Sequence, residues 1–187
     1  MLAYIFWHWP QANVDPSVYR SHLSAFHEVL ARNSPQGFHR STVFQIPKVP
    51  WLKATGAAFE DWYLVENSSA LDPLEAAAVS EACEESHNRV AREAADGTAG
   101  LYRLRMGKPD LANVRFASWF SKPTGVSYHD FYELIRPAVE ESGAGLWGRQ
   151  MTLGPATEFC LLSRMPITFP NGIIAHQLTL QLVWPQG

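Results

Sequence analysis

Histidine is the side chain in this sequence best suited to acid–base chemistry near neutral pH. The chain contains seven histidines, and three of them, His8, His27 and His39, lie on elements predicted to share one half of the molecule. Tyr63 is predicted on a strand of that half, where a dry cavity would let it take part in proton transfer. The sequence therefore predicts His27, His8, His39 and Tyr63 as the candidate catalytic set.

The spacing of the histidines does not predict a metal site. His22 and His27 are five residues apart on a predicted helix, so they face different sides and do not form an i, i+4 ligand pair. The motifs HExxH, CxxC, GxSxG, GxGxxG and the P-loop are absent from the sequence. We therefore expect no metal and no cofactor. Haem is the less favoured alternative, with His27 or His129 as its axial ligand.

The sequence is rich in large rings that could line a ligand cavity. It has seven Trp, six Tyr and ten Phe, and such rings either fill a core or form the walls of a binding site. We interpret Trp7, Trp119 and Trp147 as substrate-binding candidates. Arg149 is a fourth, able to anchor an anionic or carbonyl group. Core packing for the indoles and a surface ion pair for Arg149 remain the alternatives.

Composition excludes several classes of protein. With 47% hydrophobic and 18% charged residues the chain is globular. A net charge of −3 without blocks of like charge predicts neither a nucleic-acid partner nor a membrane partner. No apolar run approaches the roughly 18 residues that span a bilayer, and the first ten residues lack the basic start of a signal peptide. Two cysteines, Cys83 and Cys160, do not form a disulfide framework, so we expect a reduced, cytoplasmic protein.

An internal repeat organises the chain. Aligning Trp7 with Trp119 matches two aromatic strands that end in proline, and each is followed by an amphipathic helix behind a capping residue, Asp15 or Ser127. Two further strands match in each copy: residues 37–47 with 145–155, and 61–67 with 158–164.

The copies diverge after the third strand. The first continues into an Ala/Glu-rich helix predicted at about residues 73–95 and a last strand at 100–106, whereas the second has only a short connection before a strand at 176–184. In that last strand of the first copy, we expect the face carrying Tyr102 to pack on the helices.

The order of elements predicts an α+β fold. Each copy reads as a ferredoxin-like βαββ(α)β unit, whose antiparallel sheet has helices on one face and a bare face opposite. The bare face needs a partner, and the other copy supplies it. We therefore predict two repeats, residues 1–107 and 113–187, fused into an intramolecular dimeric α+β barrel, the second lacking most of its second helix. The protein is expected to be a monomer or homodimer.

This pattern resembles the dimeric α+β barrel superfamily. That superfamily includes EthD-like, antibiotic-biosynthesis-monooxygenase-like and stress-responsive proteins, and Tyr4, Pro10, Tyr19 and His27 are loosely EthD-like. The resemblance implies a small hydrophobic or aromatic ligand, and a cofactor-independent enzyme of the oxygenase, cyclase or isomerase type. A non-catalytic ligand-binding or interaction protein is the alternative, followed by a haem protein.

The copies differ at the histidines. In the alignment His8 corresponds to Phe120, His27 to Val139 and His39 to Trp147, so the polar chemistry is concentrated in the first copy. A single asymmetric pocket would produce this difference, and so would drift at exposed positions. If the protein has a site, the sequence places it on the side of the first copy.

Overall fold

The computed structural model describes residues 1–54, 56–152 and 156–185, except for the side chain of residue 152. Within them lie nine strands, four α-helices and a short 3-10 turn. The strands are β1 Leu2–Pro10, β2 Phe38–Ile46, β3 Ala58–Val65, β4 Ala94–Gly107, β5 Phe116–Phe120, β6 Gly145–Thr152, β7 Phe159–Ser163, β8 Ala175–Thr179 and β9 Gln181–Trp184. The helices are α1 Pro16–Arg32, α2 Leu71–Ala78, α3 Glu84–Glu93 and α4 Tyr128–Ser142, and the 3-10 turn is Ser68–Ala70.

All nine strands belong to one antiparallel sheet. Their order is β8-β5-β7-β6-β4-β1-β3-β2-β9. The two ends of this sheet are adjacent in the chain, because only Leu180 separates β8, which pairs with β5, from β9, which pairs with β2. The sheet is therefore a nearly closed barrel, and the prediction of an α+β barrel is confirmed.

Two blocks of four strands make up most of the barrel. The first has the order β4-β1-β3-β2 and the second β8-β5-β7-β6, so consecutive elements follow the same path in both. The blocks join through β4 and β6, where Gly107 pairs with Gly145. A Cβ on Gly107 would lie 2.1 Å from the carbonyl oxygen of Ala144, so only glycine allows this approach. The end of the predicted second strand of the later copy, residues 153–155, lies outside the described residues.

The first and fourth helices begin where the capping residues predict. The Asp15 side chain accepts a hydrogen bond from Ser17 N at 2.7 Å ahead of Pro16, and Ser127 accepts one from Asp130 N at 3.1 Å. Pro137 lies inside α4 without ending it. None of the helices in the described part of the chain is long and apolar enough to cross a membrane.

The helix predicted at about residues 73–95 is divided. Turns at residues 79–83 separate α2 from α3, and β4 begins directly after α3 at Ala94. The Asp96-Gly97 pair, expected to end the helix, lies instead within β4. Gly97 belongs there because a Cβ would come within 2.5 Å of the Phe6 ring on the neighbouring β1. In the second block no helix lies between β7 and β8, and Ile167 and Ile173 of this connection pack into the α4 core.

Alternation along the strands separates two cores. Trp7, Trp62, Trp119 and Trp147 are fully buried in one cluster inside the barrel, with Trp7 and Trp119 5.4 Å apart between ring centres. The opposite face of each block packs on its helices. Tyr102 lies inside the barrel, 5.5 Å from Trp119, so the prediction that its face would pack on the helices is wrong. A barrel lined with large rings is as apolar as the helix side, so hydrophobicity alone did not distinguish the two faces of β4.

Candidate active site

A cavity of about 780 Å³ lies between the outer face of β1 and β3 and the three helices of the first block. Its walls are mostly apolar and aromatic. Tyr4 and Phe6 come from β1, Phe26 from α1, Leu74 from α2 and Val90 from α3. Because α3 packs on α1, with His22 Nδ1 2.8 Å from a Glu93 oxygen, the helices form a cover over the sheet. Its size and apolar walls suit a small organic ligand.

A buried carboxylate at the wall of this cavity is held between two imidazoles. Asp61 of β3 has Oδ1 3.0 Å from His8 Nε2 and Oδ2 3.1 Å from His27 Nε2. Asp61, His8 and His27 are 2%, 1% and 0% exposed. Burial of an ionised carboxylate is costly unless it is paired, and here β1, β3 and α1 each contribute one member of the cluster.

Hydroxyl groups complete the network. The Tyr19 hydroxyl lies 2.7 Å from His8 Nδ1, and the Ser41 hydroxyl lies 2.8 Å from His27 Nδ1. Tyr63 donates a hydrogen bond to Asp61 Oδ2 at 3.2 Å. An ionised carboxylate only accepts, so each histidine presents Nε2–H to Asp61 and receives a hydroxyl proton at Nδ1. The assigned tautomers follow from this pattern.

Electrostatics keep Asp61 ionised and the nearby tyrosines protonated. Burial opposes ionisation of Asp61, but the positive charges that His8 and His27 carry when protonated, together with their N–H groups, outweigh it and hold the pKa of Asp61 well below its usual range. Burial and the nearby Asp61 charge raise the pKa of Tyr19 and of Tyr63, so both phenols stay protonated and donate. With neutral imidazoles the cluster carries one negative charge and can take up one proton.

Of the two histidines that contact Asp61, His8 is the one that reaches the cavity. His8, Asp61, Tyr19 and Tyr63 line it, whereas His27 lies behind them against Ser41. His8 Nε2 and Asp61 Oδ1 are 3.0 Å apart and both are buried, so the two groups form a close ion pair once His8 is protonated. The arrangement can accept a proton at His8 and stabilise the resulting imidazolium with Asp61, as in a His–carboxylate base.

The other predicted site residues lie elsewhere. His39 is exposed on β2. Trp7, Trp119 and Trp147 face the barrel interior, which is the opposite side of the sheet from the cavity. Arg149 is exposed, and its Nη1 donates to Ala156 O at 3.3 Å. Of the eight candidates, the structure brings together His8, His27 and Tyr63.

Sequence reasoning missed Asp61, Tyr19 and Ser41. The sequence pattern predicts Asp61 as the first residue of its strand, whereas β3 starts at Ala58 and is buried throughout. The available signal was the pair Glu60-Asp61 inside an otherwise apolar strand, since carboxylates are rarely buried without a role. The Tyr19 and Ser41 contacts join residues distant in sequence, and no local pattern indicates them.

Glu60, the neighbour of Asp61, points to the other side of the sheet. Inside the barrel its Oε1 accepts from Trp7 Nε1 at 3.0 Å and its Oε2 from Trp62 Nε1 at 3.1 Å. Burial raises the pKa of Glu60 to about 7, although the indole N–H groups oppose the rise. The alternation of β3 therefore places two neighbouring carboxyl groups on opposite faces of the sheet, where the pKa of Glu60 is raised and that of Asp61 is lowered.

The second block fills the equivalent space with side chains. Phe120 follows Trp119 as His8 follows Trp7, and Phe120 packs with Phe131 and Phe159 beneath α4. The strand pairings change one correspondence predicted from the alignment. Phe44 is opposite Glu60 next to Trp7, and Trp147 is opposite Cys160 next to Trp119. Phe44, not His39, therefore corresponds to Trp147.

The fold resembles two solved structures. One is a protein from Fusobacterium nucleatum described as a putative monooxygenase, with a TM-score of 0.62 at 10% sequence identity over 97% of this chain and 92% of that one. The other, a putative monooxygenase from Lactobacillus acidophilus, has a TM-score of 0.60 at 9% identity over 97% and 94% of the two chains. At such identities the likeness establishes the fold alone. No protein-family model and no curated protein matches the sequence.

We expect the cavity to bind apolar molecules, and filling it to abolish that binding. Ala78 lines the cavity at the end of α2, so Ala78→Phe should lower the affinity for the neutral dye Nile red by about tenfold or more, because the ring occupies the ligand's space. Fluorescence titration measures the effect. Ala76→Phe on the exposed side of the same helix is the control. Equal affinities for the two variants would show that the dye binds elsewhere.

Proposed function

We propose that this protein is a cofactor-independent oxygenase that acts on a hydrophobic aromatic molecule held in the cavity. The observation that carries the proposal is the buried Asp61 carboxylate between His8 and His27 at an apolar wall. Such enzymes need a base that ionises the substrate in a dry site, and this cluster can supply one. The likeness in fold to two putative monooxygenases is consistent with the proposal.

The proton would move through Tyr19. A substrate C–H or O–H made acidic by a conjugated carbonyl gives its proton to the Tyr19 oxygen, as Tyr19 passes its own proton to His8 Nδ1 at 2.7 Å. Asp61 then stabilises the imidazolium that forms. The phenol of Tyr19 ends the step protonated, as it began, in keeping with its raised pKa.

The ionised substrate supplies the electrons for the oxidation. It transfers one electron to O₂, the two radicals combine to a peroxide, and the peroxide takes back the proton and loses water. A reacting CH₂ group becomes C=O, one oxygen atom enters the product and the other leaves as water. The balance needs no external reductant, so the proposal includes no cofactor.

The geometry gives less support to the haem alternative. Both ring nitrogens of His27 already have partners, Ser41 at Nδ1 and Asp61 at Nε2, so His27 would have to break one of these contacts to ligate iron, and His129 is exposed on α4. Among the described residues, no group of three or more His, Cys, Asp or Glu is arranged to hold a metal ion. An absorption spectrum with a Soret band would overturn the proposal in favour of a haem protein.

The decisive measurement is oxygen uptake with phenols and fused-ring ketones, followed by mass spectrometry of the product. We expect His8→Gln to lower kcat by about 10²–10⁴-fold, the usual contribution of a general base. His39→Gln, which removes an exposed histidine from the same block, should leave kcat unchanged. Ligands that bind without oxygen uptake or product would contradict the oxygenase proposal and favour a non-catalytic binding protein.

We further propose that the barrel consists of two fused repeats, residues 1–107 and 113–187. The common strand order of the two blocks supports this division. It accounts for one chain supplying a whole barrel, and for a cavity in one half whose counterpart is filled by Phe120 and its neighbours. The second repeat would then be the scaffold that covers the bare face of the first.

A further inference from the structure

The charged side chains in the described lining of the cavity are predominantly acidic. Its described lining contains four carboxylates, Asp61, Asp72, Glu75 and Asp96, two histidines, and neither Lys nor Arg. Asp72 and Glu75 lie on α2 and Asp96 on β4, all exposed, so they surround the entrance. Fixed charges of one sign around a cleft with low-dielectric walls focus the potential into it.

The floor of the cavity adds a second, independent feature. Asp61 is buried there with a pKa held well below its usual range, and its two oxygens lie 3.0 Å from His8 Nε2 and 3.1 Å from His27 Nε2. Negative charge therefore lies at both the entrance and the floor.

The walls between these charges present aromatic rings. Tyr4, Phe6, Phe26 and Tyr63 all line the cavity. The faces of such rings attract a cation and repel an anion, and the attraction grows when the cation loses water. The walls therefore favour a positively charged ligand, as the carboxylates do.

We propose that the ligand is a hydrophobic cation, an aromatic or cyclic body carrying a protonated amine. Ligands that carry a carboxylate, phosphate or sulfate are excluded, because they would enter a negative cleft whose described lining offers no Lys or Arg to pair with them. The inference deepens the proposed function by naming the substrate class of the same cavity. It concerns binding, so it is tested without turnover.

Three probes of one shape and different charge provide the test. Naphthylmethylammonium, naphthylmethanol and naphthoate are titrated into the protein by calorimetry at neutral pH and low salt. We expect the cation to bind about tenfold more tightly than the alcohol, and the anion more weakly than either. The advantage of the cation should fall as salt is added, because the charges at the entrance are screened. Equal affinities, a tighter anion, or binding of none of the three would overturn the inference.

Matched variants locate the effect. Asp72→Asn with Glu75→Gln removes two charges from α2 at the entrance, and should reduce the cation's advantage over the alcohol by about threefold or more. Glu140→Gln with Glu141→Gln removes two exposed charges from α4 and should leave the ratio unchanged. The same loss in both pairs would assign the preference to overall charge and overturn the inference.

Cation selectivity without oxygen uptake would refute the oxygenase alone, whereas uptake with neutral or anionic substrates only would refute the cation preference alone.

Discussion

Replacing Asp61 by Asn is expected to lower kcat for oxygen consumption by about 10²–10⁴-fold and the free energy of unfolding by about 3 kcal/mol. Asn is neutral and offers one acceptor oxygen, so it cannot receive Nε2–H from both His8 and His27. One imidazole must change tautomer, which turns its hydroxyl partner from a donor into an acceptor, and the imidazolium formed in the reaction loses its counter-ion. Chemical denaturation and oxygen uptake measure the two effects.

Asp110→Asn is the matched control for that variant. It removes a carboxylate whose contact with Arg164 is at the surface, so we expect a loss of at most about 1 kcal/mol and unchanged kcat. If Asp61→Asn kept the activity of the wild type, the His–Asp cluster would be structural and the proposed base would be refuted. Asp61 should also contribute stability above the ordinary pKa of an Asp, and that contribution is lost as the pH falls below it, because the folded pKa is lowered.

Replacing Glu60 by Gln is expected to remove a dependence of stability on pH that is opposite in sign to that of Asp61. The pKa of Glu60 is about 7 in the folded protein against 4.5 ordinarily, so the folded state binds the proton more tightly than the unfolded state does. The contribution of Glu60 to stability is therefore fully present below pH 4.5 and is lost as the pH rises through about 7, by about 3 kcal/mol in all. In Glu60→Gln this decrease should be absent. Urea denaturation at several pH values measures it.

Gln is the appropriate replacement because its carbonyl oxygen can still accept from one indole, whereas Leu would leave both Trp7 and Trp62 without an acceptor. Oxygen uptake by Glu60→Gln should match that of the wild type, since Glu60 lies on the barrel side of β3, away from the cavity. An unchanged slope of stability with pH would show that Glu60 titrates normally inside the barrel. Loss of activity at unchanged stability would place Glu60 in the catalytic network.

The sequence by itself determined the class of fold and the half of the molecule in which to search. The alternation of the strands, the periodicity of the helices and the Asp15 and Ser127 caps depend on residues close together in the sequence, so local physics determines them. His8 beside Trp7 and Phe120 beside Trp119 already distinguish the two halves. These features depend on residues close together in the chain, so the sequence alone is enough to predict them.

Only the tertiary structure decided which residues meet at the site. Asp61 and Glu60 are adjacent and chemically alike, yet one enters a network with His8 and His27 and the other a cage of indoles, because alternation sends them to opposite faces. Which face is the cavity depends on the closure of the barrel through β4–β6 and β2–β9. That closure is a long-range pairing. Because of it, Trp7, Trp119 and Trp147, which the sequence suggested as substrate contacts, form part of the barrel core, and His39 lies at the surface.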